Sequence, residues 1–254
     1  MAELSLNNIS LNYVIYGAGS RSVVTAAKSM TTGVSIRRMK RNRVEVAALD
    51  DVTLNARDGD RIGVLGHNGA GKTTLLKVAA GIFKPTAGKI RRVGRIVSII
   101  NPSVGLNPIL SGHENIAQIA LLYGLGRREI EKLSPEIEEF TELGEFLDLP
   151  VESYSAGMVT RLAFGVATAF RPEILVADEN IGTGDARFIE KAEERMHNMM
   201  DQASLLLLAS HSIPTIKKLC NRAILMEHGK IVGDGDTDEV IEMYESGKSF
   251  LDAK

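Results

Sequence analysis

A single cysteine, Cys220, is the whole thiol content of the 254 residues. No internal disulfide can form, and a reducing compartment fits the chain. An excess of charge is also missing: 30 Lys and Arg stand against 32 Asp and Glu, net −2. That balance excludes the general basic field of a protein that coats nucleic acid. Long apolar runs are absent; the longest, such as Leu205 to Ala209, have the length of a buried strand and not of a membrane span. The opening residues Met1-Ala2-Glu3-Leu4-Ser5 lack the basic and apolar regions of a secretory signal. These absences make an intracellular protein the expectation, one that works at a membrane only through a partner. Apolar content of 44% and charged content of 24% are ordinary for a globular protein, and the length suits one large domain.

What is present is organised around Gly66-His67-Asn68-Gly69-Ala70-Gly71-Lys72-Thr73-Thr74. The pattern is G-x-x-x-x-G-K-T. It follows the apolar run Ile62 to Leu65 and precedes Leu75-Leu76-Lys77-Val78. A buried strand, a glycine-rich turn and a helix start make up the context of a phosphate-binding loop. Glycines let successive N–H groups turn inward, and the helix adds its positive end. In such a loop Lys72 reaches the β- and γ-phosphates, and the Thr73 hydroxyl ligates Mg²⁺. No Asn-Lys-x-Asp motif for guanine occurs, which argues against a GTPase.

Around this loop the chain alternates strand and helix patterns. Leu4 to Tyr16 reads as a strand, and Tyr13 or Tyr16 near its end either stacks on an adenine ring or closes a sheet edge. Ser22 to Asn42 interrupts the pattern and contains Arg37-Arg38-Met39-Lys40-Arg41-Asn42-Arg43, five basic residues in seven. That run is either a solvated excursion or a contact with an anionic surface. Val44 to Ala56 is a strand, Asp58-Gly59-Asp60 and Pro85 to Lys89 are turns, and Arg95 to Ile100 is a short strand. From Ser111 to Pro150 the period becomes helical. Ser111-Gly112-His113-Glu114 has the form of a capping box, and Ser134-Pro135-Glu136 predicts a second helix start. Ser155 opens a third helix. Glu173 to Ala177 and Ser204 to Ala209 are buried strands with a helix between them. A hairpin from Ala223 to Val232 and a helix from Thr237 to Tyr244 close the chain. Such alternation predicts an α/β protein with a mostly parallel sheet covered on both faces.

In such sheets ligands sit at the carboxyl ends of strands, and the phosphate loop, Asp178-Glu179 and His211 all fall there. Asp178 can hold Mg²⁺, and Glu179, pointing the other way along the strand, can act on the attacking water. Taken alone His211 reads as a packed or capping histidine, but its position after a buried strand turns the reading to a donor to the γ-phosphate.

With these residues in place the chain resembles the nucleotide-binding subunits of ATP-binding cassette transporters over nearly its whole length. Gly66 to Thr74 is similar to the first nucleotide motif and Ile174 to Glu179 to the second. Tyr154-Ser155-Ala156-Gly157-Met158 stands where the L-S-G-G-Q signature is expected. Gly184-Asp185 is similar to the end of the dimer-facing loop, and His211 to the switch histidine. The resemblance implies a P-loop NTPase (RecA-like) core with an antiparallel β subdomain and a helical signature subdomain. It also implies ATP and Mg²⁺, and two copies clasping two nucleotides head to tail. Ser155 and Gly157 would then act on the γ-phosphate held by the other copy. Tyr13 is the choice for adenine stacking. Asn101 falls at the loop position that coordinates Mg²⁺ and couples to the membrane subunit, where the family usually has Gln.

A narrower resemblance is to the ATPases exporting O-antigen, capsular polysaccharide and teichoic acid. It rests on Gly105 to Ile116, on Tyr154 to Phe164, and on Gly182 to Phe188 after Asp178-Glu179. It implies an ATPase on the cytoplasmic face of the inner membrane, bound to a separate membrane-spanning subunit, with no role for nucleic acid. The loop from Asn101 to Leu110 is the expected contact. The expected organisation is one domain over 1–254, with a core at about 1–105 and 172–254 and a helical part at about 106–171. An appended carbohydrate-binding domain is not expected. The competing reading, a cassette ATPase acting on DNA or the ribosome, usually brings coiled-coil arms or two cassettes, and this chain has neither.

Overall fold

The computed structural model describes residues 1–16, 35–39, 43–100, 105–178 and 186–247. It divides into two compact units, one of Met1–Ile96, Glu173–Glu179 and Ser204–Lys254, the other of Val97–Pro172 and Asn180–Ala203.

The first unit contains two sheets. One is antiparallel, with strand order β2-β3-β1-β5, where β1 is Glu3–Tyr16, β2 Ser35–Met39, β3 Arg43–Arg57 and β5 Ala87–Val93. Its inner face is apolar: Leu4, Leu6, Ile9 and Leu11 of β1 and Leu49, Val52 and Leu54 of β3 are all at most 5% exposed. Leu6 and Ile9 are three residues apart, a spacing that strict alternation would send to opposite faces. The ladder shifts register between them, and Asn8 (φ 53°) and Asp51 (φ 57°) take up the kink in the left-handed region. Asn and Asp tolerate that conformation, and Asn8 Nδ2 donates to Asp51 Oδ1 at 2.9 Å.

The other sheet has the order β10-β9-β4-β8-β7 within this unit, with β4 Arg61–Leu65, β7 Ile174–Asp178, β8 Leu205–Ala209, β9 Arg222–Glu227 and β10 Lys230–Gly235. β9, β4, β8 and β7 run parallel, and β10 returns antiparallel along β9. Leu205 to Ala209 are all buried, the unbroken apolar run of a strand covered on both faces. Among the described residues, helices α1 (Lys72–Ala79), α6 (Ile213–Leu219) and α7 (Thr237–Ser246) belong to this unit.

Three elements of this unit lie where no regular structure is expected. β2 falls in the interruption and pairs with β3 from Ser35↔Ala47 to Met39↔Arg43. β5 begins inside the expected turn from Pro85 to Lys89; it is an edge strand with only Ile90 half-buried, so it carries almost no apolar signal. α6 starts directly after Ser210-His211-Ser212, with the Ser212 hydroxyl accepting from Thr215 N.

The second unit begins at β6 (Ile96–Ile99), where the chain leaves the first. Its helices are α2 (Gly112–Leu122), α3 (Arg127–Thr141), α4 (Ala156–Ala167) and α5 (Ala186–Gln202). α2 opens on the expected capping box: Ser111 Oγ accepts from Glu114 N at 3.2 Å, and Glu114 Oε2 accepts from Ser111 N at 2.8 Å. The helix start expected at Ser134 is corrected. α3 begins at Arg127, where the Glu129 carboxylate takes the Gly126 N–H, and it runs through Pro135. Pro135 is exposed, so its ring meets water, while Ile137, Phe140 and Thr141 on the same helix are buried. Packing of that face outweighs the hydrogen bond the proline removes. The core of the unit stacks Phe140 on Phe164 at 6.0 Å and sets Phe188 against both, at 5.5 and 6.2 Å. Among the described residues no helix is long and apolar enough to cross a membrane.

Candidate functional site

Strand register brings the expected groups of the first unit to one edge. Val64 of β4 pairs with Ala209 of β8, and Ala209 pairs with Asp178 of β7, so three strands reach their carboxyl ends in one row. The phosphate loop starts two residues beyond Val64, and His211 stands two residues beyond Ala209.

The loop's shape is dictated by its glycines. Gly66 has φ 143°, and a Cβ there would lie 2.4 Å from the Met226 carbonyl oxygen. Gly71 has φ 107°, and a Cβ there would lie 2.8 Å from the Ala48 carbonyl oxygen. Only glycine combines those conformations with that proximity. The loop is also tied from the side, since Gly229 N donates to Ala70 O at 2.9 Å while Gly229 O accepts from Asp50 N at 2.9 Å. This brace from the β9–β10 turn carries no sequence motif of its own and is absent from the sequence reading. Ala70 N donates to His67 O at 3.1 Å. His67, Asn68 and Gly69 are exposed, and Thr74 is half-buried. Gly71, as N-cap of α1, offers no side-chain acceptor, which leaves the helix N-terminus suited to an external anion.

Lys72 is buried, 8% exposed, and its Nζ donates to Gly66 O at 2.5 Å and His67 O at 3.1 Å. Burial lowers its pKa from the ordinary value, and the charge of Asp178 partly opposes that shift. Thr73 Oγ1 donates to Asp178 Oδ2 at 3.1 Å. The neighbouring lysine and hydroxyl of the loop and a carboxylate from a distant strand thus meet at the strand ends. His211 is exposed at the same edge.

The remaining candidates lie elsewhere or outside the description. Tyr13 sits opposite Val46 at the surface, 38% exposed, with its ring edge-on to Phe83 at 6.1 Å. In the second unit Ser155 is the N-cap of α4, its Oγ accepting from Met158 N at 3.3 Å. A Cβ on Gly157 would meet nothing nearer than Ser155 Oγ at 4.0 Å. Asn101, Glu179 and Asp185 lie outside the described residues.

One group in the second unit escaped sequence reasoning. The Asn115 side chain is fully buried; its Nδ2 donates to the carbonyls of Asn107, Leu110 and Ser111 at 3.0, 3.1 and 2.9 Å, and its Oδ1 accepts from Asn107 N at 2.7 Å. One amide therefore fastens the loop before α2. A buried Asn inside an apolar helix face was the available signal.

Compared with known proteins, residues 49–182 match the family model described as ABC transporter. The chain belongs to the ABC transporter family. The O-antigen export system ATP-binding protein RfbE of Yersinia enterocolitica is 46% identical over 231 residues, covering 91% of this chain and 97% of that protein. The teichoic acids export ATP-binding protein TagH of Shouchella clausii is 40% identical over 198 residues, 78% of this chain but only 55% of that longer protein. Among solved structures, a dimeric ATP-binding cassette in a post-hydrolysis state, bound to ADP and phosphate, superposes with a TM-score of 0.65 over 92% of this chain and 98% of its own. At 19% identity that likeness speaks for the fold, and it agrees with the expected α/β P-loop core with an antiparallel sheet and a helical part. This ABC ATPase therefore binds and hydrolyses ATP.

Proposed function

We propose that this chain is the ATP-hydrolysing subunit of an exporter of lipid-linked polysaccharide, of the O-antigen or capsule kind. Two copies work head to tail beneath a separate membrane-spanning subunit, peripheral to the cytoplasmic face of the inner membrane. The observation that carries the reading is similarity along 97% of the length of a protein named for O-antigen export, at 46% identity.

The residues fit Mg²⁺. Thr73 and Asp178 present two hard oxygens 3.1 Å apart, with Asp178 only half-buried, and Mg²⁺ prefers one or two such ligands with several waters retained. Thr73 and Asp178 would hold the ion, with Asn101 as the expected third ligand. When bound, it neutralises charge on the β- and γ-phosphate oxygens. All other work falls to the chain. The backbone of Gly66 to Thr74 cradles the phosphates, and the Lys72 ammonium donates to β- and γ-oxygens. Tyr13 stacks on the adenine. Glu179 takes a proton from water as the new O–P bond forms and the bond from γ-phosphorus to the bridging oxygen breaks. His211 donates to the γ-phosphate. Ser155 and Gly157 of the second copy close over it, and Asp185 lines the junction between copies. Glycine at position 157 agrees with this use, because its helix has room for a side chain within one copy.

Energy reaches the membrane subunit through the loop that Asn115 fastens. Backbone bonds from Val151 N to Leu110 O and from Glu152 N to Pro108 O join this loop to the segment after α3. Ile109, Phe146 and Leu149, which these two segments carry, are 74%, 50% and 46% exposed, an apolar surface suited to a protein partner. Ile109→Asp changes an exposed side chain and leaves the strand-end groups alone. It is expected to retain basal ATP hydrolysis and lose surface polysaccharide in a complemented deletion strain. Normal polysaccharide with the aspartate in place rejects the coupling role, and loss of hydrolysis as well rejects the separation of the two functions.

A further inference from the structure

The second unit holds a charged cavity that the strand-end chemistry does not use. Glu142 ends α3 in the left-handed region at φ 54°, uncommon for a residue with a side chain. Its carboxylate accepts from Lys191 Nζ on α5 at 3.0 Å and lies 3.9 Å from Arg161 Nη1 on α4. Glu142, Arg161, Arg187, Phe188 and Lys191 line a surface cavity of about 260 Å³. Phe188 is its apolar wall, fixed against Phe140 and Phe164, with the Arg161 guanidinium 5.2 Å from its ring centre. Among the described residues that line it, three cations face one carboxylate. Lys191 first, by hydrogen bond and charge, and then Arg187 and Arg161 hold the Glu142 carboxyl below its usual range.

We propose that this cavity binds a phosphate-class oxyanion, held by Arg161, Arg187 and Lys191 after it displaces the Glu142 carboxylate. The internal carboxylate marks the point where the cations converge, so the geometry for an oxyanion is already built. Guanidinium forks match phosphate oxygens in pairs, and a lysine adds a third donor. Glu142 is 46% exposed at its side chain, so it can turn out into water without crossing a buried layer. Arg187 is exposed and makes no hydrogen bond or ion pair among the described residues, which leaves one fork for the ligand. Phe188 shields one side of the cavity from water, which strengthens charge interactions inside it. An anion there draws together α4, whose N-cap is Ser155, and the first turns of α5. The site thereby becomes a means for phosphate-bearing species to set the pose of the signature helix.

The test uses the full chain with saturating ADP, so that the phosphate loop is filled, at constant ionic strength. Inorganic phosphate is titrated while the Nε–Hε resonances of Arg161 and Arg187 are followed by NMR. The expected result is a saturable shift at both arginines with one midpoint, abolished by Lys191→Ala and by Arg187→Gln, an exposed change that spares the core. Glu142→Gln removes the competing charge and should tighten binding about two- to fivefold, the size of one partly exposed charge interaction. Thermal melts of each variant check that it is folded. Phosphatidic acid vesicles run alongside: cosedimentation lost in the same variants assigns a lipid headgroup, and shifts with inorganic phosphate alone assign a free anion. Shifts that never saturate, that survive Lys191→Ala, or that weaken in Glu142→Gln overturn the proposal.

Discussion

Removing the Lys72 ammonium separates two tasks that share one atom. In the structure Nζ donates to the carbonyls of Gly66 and His67, and the residue is 8% exposed, so water screens its charge poorly. A charge-assisted hydrogen bond contributes about 1.5–3 kcal/mol, so Lys72→Ala should raise the ATP dissociation constant roughly ten- to 150-fold. Stability should respond much less. The lowered pKa shows that burial disfavours the ammonium, and its loss offsets part of what the two carbonyls forgo. The sign of the pH effect follows. With the folded pKa below its ordinary value of 10.5, the unfolded chain binds more protons in between, so this group's share of stability rises with pH up to that value. The alanine variant should lose that alkaline slope. Calorimetric titration with ATP, beside urea melts over a pH series, measures both. Unchanged ATP affinity in a variant with the parent's urea midpoint would refute the reasoning, because it would leave the helix dipole and loop N–H groups as sufficient.

Two further outcomes are expected. Glu179→Gln should keep ATP binding, lower turnover at least about a hundredfold as for loss of a general base, and shift the protein toward dimer with ATP in sedimentation; wild-type turnover would remove the base assignment, and a monomer under those conditions would argue against the head-to-tail clasp. Burial pushes the Cys220 thiol up to about 12 from 9.0, so its native reaction with a disulfide reagent at pH 8 should be about a thousandfold slower than in urea, and its contribution to stability should fall as pH rises from 9.0 toward about 12; a native rate within about tenfold of the unfolded one would contradict the burial.

The strand-end cluster was legible because each part announces itself locally. Gly66 to Thr74 joins a strand to a helix, Asp178 ends one apolar run and His211 follows another, and parallel sheets collect such ends on one edge. The capping box at Ser111 and the cap at Ser155 were legible for the same reason, since both are settled within one helical turn. What sequence could not give depends on distant partners. β5 has no apolar period because it sits at an edge, and Pro135 looks like a start until the burial of Ile137 and Phe140 is known. The brace from Gly229 to Ala70 joins residues on separate elements through backbone atoms alone, which no side-chain pattern records.

Gly157 carries the argument one step further. Glycine costs up to about 1 kcal/mol against alanine in a helix interior, and Gly157 is the second residue of α4. At Gly66 and Gly71 the reason is visible, because a Cβ would strike the Met226 and Ala48 carbonyls. At Gly157 the nearest atom to an added Cβ is 4.0 Å away, and no positive φ demands glycine. Within one copy, then, alanine should fit and should stabilise α4. A glycine set against its own helix's preference is accounted for by a close approach from outside the chain, which is the role the proposed head-to-tail dimer would give it. Gly157→Ala should therefore raise the melting temperature of the isolated chain while weakening ATP-dependent dimer formation. A variant more stable and equally able to dimerise would show that the glycine serves nothing beyond its own helix.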